Sequence, residues 1–473
     1  MNCDRRAFLA LGGGLLAQTP VAPNFVLILC DDLGYGDVGA YYPQAKIPTP
    51  HMDKLAREGM RFTDAHSPSS VCTPTRYGVL TGRYCWRTRL KSGVGNGYSP
   101  ALIEPGRDTI VSLLKRTKNY RTGGFGKWHL GLGNEPKVDY AQEFRPSPNE
   151  FGFDEYFGIP ASLDMPPYVF IENHRAVEPP TSTIGDSGEV KRGPFWRGGP
   201  RAPSFQMEEV VPSIVKRACA FVEKEKGPFF AYVPLPAPHT PWVPSKPFQG
   251  KSKAGLYGDF VEQVDASIGE ILAALERAGK TRNTLVILTS DNGAPWEERD
   301  AREAAGHLAN ARWRGQKADI QEAGHRIPFI VRWPGRVKPG TVSDRTICLT
   351  DIFATIADVH GIRMTDGMGE DSVSILPVLE GRQKGPVREA VVHHSANGIF
   401  AIRQGDWKLI LGRGSGGFTE PIRIVLRPGE PAGELYNLRE DPHEDLNVYH
   451  ANPPIVARLT ELLKKYRDTG RSR

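Results

Sequence analysis

Apolar residues follow two patterns along this chain. Short, nearly unbroken apolar runs at 25–30 (FVLILC), 229–235 (FFAYVPL), 285–290 (LVILTS) and 328–332 (PFIVR) predict strands covered on both faces, because alternation marks a strand with one face in water. Helical periodicity fills the stretches between them. Residues 48–62 (PTPHMDKLAREGMRF) predict a helix with Thr49 as N-cap and Pro50 in its first turn. Across 256–279, Phe260, Val264, Ile268, Ile271, Leu272 and Leu275 fall on one stripe, and Gly279 closes it. Residues 351–360 (DIFATIADVH) predict another helix, stopping before Gly361. Strands alternating with helices predict an α/β fold: a large, mostly parallel central sheet sandwiched by helices.

The texture changes near residue 388. VVHHS, IFAIRQ, DWKLILG and ELYNL read as short strands, and 454–467 as an amphipathic helix. The expected organisation is therefore a main α/β domain over 21–387 and a small antiparallel-sheet subdomain with a terminal helix over 388–473. The first residues, about 1–20, read differently again. Arg5-Arg6, then Phe8-Leu9 and a Gly-softened apolar run over 7–17, predict a twin-arginine export signal. That run is roughly half of what a membrane-spanning helix needs, and Gly12, Gly13 and Gly14 argue against a buried helix. No clean Ala-x-Ala fixes a cleavage point, and no second segment is long and apolar enough to span a membrane. The expectation is an exported, periplasmic or extracellular protein, with the twin-arginine machinery as a partner and no permanent membrane span.

Composition refines this picture in two places. The net charge of +6, from 60 basic and 54 acidic residues, is spread along the chain, which suits a small anionic substrate and not nucleic acid. The six cysteines include no CxxC pair, so neither a zinc nor a redox site is indicated. Cys3 falls in the signal, and Cys30, Cys85, Cys219 and Cys348 read as small buried hydrophobes. Cys72 stands apart, at the expected mouth of a helix.

Chemistry gathers behind the apolar runs. The first is followed by DDLGYGD (31–37), and LVILTS by Asp291-Asn292-Gly293. In a mostly parallel sheet, strand carboxyl ends collect on one edge, where ligands bind. Either stretch alone reads as a turn; two of them, each directly after an apolar strand, read as a metal site. Asp31, Asp32, Asp291 and Asn292 offer only oxygen, which selects a hard cation, Ca²⁺ or alternatively Mg²⁺. Lys127 and His129 (YRTGGFGKWHLG), His239 (YVPLPAPHTPWVP) and Lys317 (WRGQKADIQEAGHRIP) lie in Gly- or Pro-shaped loops. Singly, each is most often a solvated or satisfied side chain. With Arg76 they supply three fixed positive charges and two imidazoles, an environment for an anionic, oxygen-rich group.

Cys72-Thr73-Pro74-Thr75-Arg76, with Gly82-Arg83 after it, resembles the formylglycine motif of type I sulfatases, and YRTGGFGKWHLG is similar to that family's second signature. The resemblance runs from VLILCDDLGYGD (26–37) to ELYNLREDPHEDLNV (434–448), with five motifs in family order. It implies an alkaline-phosphatase/sulfatase-like fold and hydrolysis of a sulfate ester to sulfate and alcohol. It also implies that a maturation enzyme reads Cys-x-Pro-x-Arg in the unfolded chain and oxidises Cys72 to formylglycine, whose hydrate is the nucleophile. By the same resemblance, Asp31, Asp32, Asp291 and Asn292 bind calcium with the modified Cys72 beside it. Arg76 holds that residue and shapes the metal site. Lys127 and Lys317 clamp sulfate oxygens, His239 protonates the departing alcohol, and His129 takes the proton from the second hydroxyl. Ser162, in GIPAS, matches a sulfate-contacting position. Cys30 stands where the family often has alanine. Ala323, in EAGHR, stands where glycine is common, so no positive backbone angle is expected there.

Specificity belongs to the leaving-group side. Candidate sugar contacts are residues 162–175, among them Tyr168, Phe170, Asn173 and Arg175, together with His307 and the Gly-rich stretch 412–419. The same residues read equally as loop packing. An exported enzyme with a polar outer pocket points to a sulfated carbohydrate end, with aryl sulfates cleaved because they leave easily. Two alternatives stay open: a phosphodiesterase or phosphonate monoester hydrolase of the same superfamily, and a non-catalytic sulfated-glycan-binding protein.

Overall fold

All four apolar runs become strands of one ten-stranded sheet in the computed structural model, which describes residues 22–118, 120–134, 136–188 and 192–473. The export signal expected at about 1–20 lies outside the described residues. Five strands at the centre of the sheet are parallel, in the order Thr284–Ser290, Asn24–Asp31, Phe229–Pro238, Arg121–Lys127 and Glu155–Ile159. Every residue of the first three is buried, which is why their sequences run apolar without alternation.

Antiparallel pairing enters on both sides of this centre, although the outermost pair on one side, Met60–Phe62 with Thr341–Ser343, is parallel. Phe329–Arg332 pairs against Thr284–Ser290, followed outward by Met60–Phe62 and Thr341–Ser343. On the other side Ile171–Glu172 and Arg175–Ala176 close the sheet. The run at 328–332 is covered as expected, but its direction could not be read from its apolar content.

The helix expected over 48–62 is shorter, Pro50–Glu58. A Cβ on Gly59 would meet the Val331 carbonyl oxygen at 2.1 Å, so the chain passes there as glycine, and Met60–Phe62 joins the sheet instead. Thr49 does not cap with its side chain; its hydroxyl accepts from the Gly39 N–H at 2.9 Å and donates to Asp53. The long helix Gly255–Arg277 buries Phe260, Val264, Ile268, Ile271 and Leu275, with Leu272 only half-buried. Among the other cysteines Cys30, Cys85 and Cys348 are buried, whereas Cys219 is only partly so.

The C-terminal region forms a four-stranded antiparallel sheet, Val391–His394, Phe400–Gln404, Trp407–Ile410 and Glu434–Asn437. Helix Pro453–Asp468 lays Leu459, Leu462, Leu463 and Tyr466 on it, in an apolar cluster shared with Tyr84, Trp86 and Cys348 of the larger part. Buried Lys408 adds a polar tie, donating to Glu322 at 3.1 Å and pairing with Glu444 at 2.8 Å.

Candidate active site

Register brings the acids together. Cys30 lies opposite Ser290, so Asp31-Asp32 and Asp291-Asn292 leave the sheet side by side. Asp32 has a left-handed backbone at φ 65°, a conformation that Asp adopts more readily than most residues. Its N–H donates to Asp291 Oδ1 at 3.3 Å, and the Asn292 amide donates to Asp32 Oδ1 at 2.7 Å. That leaves Asn292 Oδ1 buried without a partner. An orphaned carbonyl oxygen among three buried carboxylates fits a hard cation. Gly293 makes the turn possible, since a Cβ there would meet the Ala323 carbonyl oxygen at 1.7 Å. Ala323 itself sits in the short helix Glu322–His325 with no positive φ.

Three cations stand against these acids. Lys127 Nζ lies 2.6 Å from Asp31 Oδ2, and Lys317 Nζ 2.8 Å from Asp32 Oδ2. Arg76 donates through Nε and Nη2 to Asp291 Oδ2 at 3.0 and 2.7 Å, and through Nη1 to the Lys127 carbonyl. Burial alone would raise the Asp31 carboxyl, but Lys127, His239 and Arg76 hold it well below the usual carboxylate range. Burial, with Asp31 close by, pushes Asp291 up to about 7 despite Arg76. The third carboxylate is thus the one a divalent cation would keep ionised.

Helix Cys72–Thr81 begins on the cysteine itself, with all ten residues buried, and ends at Gly82 in the left-handed region at φ 65°. Cys72 Sγ is 3.5 Å from Asp31 Oδ1. Burial raises its thiol above the usual range, so the unmodified side chain is a poor nucleophile. His129 Nε2 meets the Gly95 carbonyl at 2.9 Å and therefore carries the hydrogen, while Nδ1 is buried without a partner. Burial, reinforced by Lys127 and Arg76, pushes the His129 imidazole well below its usual range. His239 follows strand Phe229–Pro238; its Nδ1 faces the Thr240 carbonyl, and its Nε2 lies 3.7 Å from Asp32 Oδ2.

Part of this set lines a cavity of about 570 Å³, while Asp31, Arg76, Lys127, Asp291 and Asn292 are fully buried and do not line it. Asp32, Cys72, His129, Ser162, His239 and Lys317 line its buried end, and the Ser162 hydroxyl there has no partner. Asp164, Arg197, Trp242 and Phe418 line the outer part. His307 is not brought to this cavity. It is buried, with Nε2 2.7 Å from Asp37 Oδ1 and Nδ1 accepting from the Lys46 N–H. The other sugar candidates also serve the fold. The Tyr168 hydroxyl donates to the Arg197 carbonyl, Phe170 stacks on Phe157, Asn173 Oδ1 accepts from the Tyr156 N–H, and exposed Arg175 faces Glu143. From the stretches singled out in sequence, Ser162, Asp164, Met165 and Phe418 reach the cavity. Trp242 was missed although it lies three residues after His239; Arg192 and Arg197 carried no periodic or motif signal.

Comparison with known proteins agrees with this geometry. The sulfatase family model matches residues 23–362, and a model of the N-sulphoglucosamine sulphohydrolase C-terminal region matches 313–469. An N-acetylgalactosamine-6-O-sulfatase of Bacteroides thetaiotaomicron is 35% identical, covering 94% of this chain and 93% of its own. Human arylsulfatase A is 32% identical, covering 98% and 90%. A solved Bacteroides thetaiotaomicron protein of a glycosaminoglycan-metabolism locus (BT33336S-sulf) superposes with a TM-score of 0.84 at 33% identity, covering 94% of this chain and 99% of that one. A match of this extent means that this chain belongs to the type I sulfatase family and is a sulfuric ester hydrolase.

Proposed function

We propose that this sulfatase removes a 6-O-sulfate from an N-acetylhexosamine at the end of a glycan, cleaving aryl sulfates as a side activity. The observation that carries the reading is that Cys72, Asp32, Lys317, His129 and His239 line one cavity, with Asp31 and its Lys127 partner buried against them, and that polar and aromatic side chains line the rest of it. Two relatives support the ester position: the bacterial one at 35% identity and a rat N-acetylgalactosamine-6-sulfatase at 30%.

Asp31, Asp32, Asp291 and Asn292 would hold Ca²⁺, which would supply the Lewis acid, and Cys72 converted to formylglycine hydrate would supply the attacking hydroxyl. Lys127 and Lys317 hold sulfate oxygens in this reading, with the Ser162 hydroxyl as a further donor. Because the Thr240 carbonyl occupies His239 Nδ1–H, Nε2 is the nitrogen that delivers a proton to the departing alcohol oxygen. His129, kept neutral, accepts a proton at Nδ1 once the ester bond has broken. The export signal read at 1–20 makes this a periplasmic or extracellular enzyme, and the described residues contain no helix long and apolar enough to cross a membrane.

A product-resolving screen of defined sulfated saccharides tests the reading. It uses Ca²⁺-loaded enzyme whose Cys72 conversion has been checked by mass spectrometry, with a phosphate ester alongside. Release of sulfate from 6-O-sulfated N-acetylgalactosamine ahead of its 4-O-sulfated isomer is expected. Faster turnover of the phosphate ester, or unmodified thiol in fully active enzyme, would overturn it.

A further inference from the structure

A second cavity, of about 520 Å³, adjoins the catalytic one. Arg192, Gly193 and Trp242 line both, so the two spaces share a wall. Backbone makes up part of that wall: Gly193 sits at φ 64°, and its carbonyl accepts from the Trp242 N–H at 2.9 Å and from the Thr240 hydroxyl. Beyond it, three rings are packed in series. Trp242 meets Tyr257 at 5.0 Å, and Tyr257 meets Trp296 at 4.7 Å. Leu256, 38% exposed, adds an apolar flank. At the junction the Trp242 indole N–H is buried and has no partner, a donor left for something that enters.

The charges here indicate what enters. Arg192 is engaged by Glu297 at 2.5 Å and by Asp300, and Arg299 by Glu303 at 2.9 Å. Among the described residues, Asp300 and Glu303 in this space and Glu297 on the catalytic side face two guanidinium groups, so these side chains offer no net attraction to an anion. A pyranose ring has apolar C–H faces and hydroxyl edges, and an aromatic floor with one free N–H suits it. We propose that this second cavity is a sugar subsite for an uncharged pyranose linked to the sulfated residue, so that the enzyme reads a disaccharide or longer glycan and disfavours a uronate at that position. This rests on the glycan-sulfatase reading above.

Values of kcat/KM for three matched substrates test the subsite. They are 6-O-sulfated N-acetylgalactosamine alone, the same residue linked to galactose, and the same residue linked to glucuronate. The neutral disaccharide should exceed the monosaccharide by about tenfold, the scale of one well-used contact, mainly through KM, and should exceed the uronate-linked substrate. Leu256→Glu, on the exposed flank and outside the catalytic groups, should erase the disaccharide advantage while leaving monosaccharide turnover unchanged. Monosaccharide turnover without a disaccharide advantage, a preference for the uronate, or equal losses in Leu256→Glu would overturn the subsite and leave the sulfatase reading standing. No turnover of any sulfated sugar would overturn both.

Discussion

Replacing His239 by alanine separates proton delivery from sulfate binding. The imidazole is nearly buried, its Nδ1 is tied to the Thr240 carbonyl, and its Nε2 lies 3.7 Å from Asp32 in the catalytic cavity. A positioned general acid contributes about 10²–10⁴ in rate, or about 2.7–5.4 kcal/mol at 1.36 kcal/mol per decade. Removing the ring beside an open cavity of about 570 Å³ admits water, a weaker substitute acid. The loss for a sugar sulfate should therefore fall in the lower part of that range, about 10²–10³. A nitrophenolate departs without a proton, so its sulfate ester should lose about tenfold or less. The assay is kcat/KM for both esters with wild type and His239→Ala, each loaded with Ca²⁺ and verified for Cys72 conversion. Equal losses on the two substrates would mean that His239 only holds sulfate, and would refute the acid role.

Four other outcomes are expected. Cys72→Ala should abolish hydrolysis while still binding a sulfated sugar by calorimetry, and residual turnover at the wild-type rate would rule out position 72 as the source of the nucleophile. Because burial, Lys127 and Arg76 push the His129 imidazole down, its neutral base form should persist as pH falls through about 6.5. The kcat profile should then lose activity only below that pH, and an acid limb centred at or above 6.5 would count against this role. Chelation should remove activity and lower the melting temperature, with Ca²⁺ restoring both; full activity after verified metal removal would contradict the acid-cluster site. Lys408→Met leaves Glu322 and Glu444 buried without their cation, which should cost about 3–5 kcal/mol in denaturant unfolding, and an unchanged midpoint would show that the carboxylates find other partners.

The stretches that could be read from sequence were those whose signal is local. A short unbroken apolar run rich in β-branched and aromatic residues reads locally as a covered strand, so 25–30, 229–235 and 285–290 were legible, and so were the acids directly behind two of them. The stripe from Phe260 to Leu275 fixed a helix in the same way. Signals that needed a partner failed. Residues 60–62 continue a helical pattern, yet they join the sheet between Phe329–Arg332 and Thr341–Ser343 because Gly59 packs against the Val331 backbone. His307 reads in the sequence as a candidate sugar contact, but Asp37 and the Lys46 N–H claim both of its ring nitrogens.

The sequence by itself determined the strand and helix segments, the Cys72–Arg76 motif and the chemical identity of the acids, lysines and histidines, since each follows from residue type and short-range spacing. Only the tertiary structure decided that Lys127 would face Asp31 and Lys317 face Asp32, which side chains line the outer cavity, and that Trp242 stands between two spaces. Those contacts join residues from 41 positions apart, for Cys72 and Asp31, to 285, for Lys317 and Asp32. Sheet register and loop packing set such distances, and neither leaves a mark in the local pattern of apolar and polar residues.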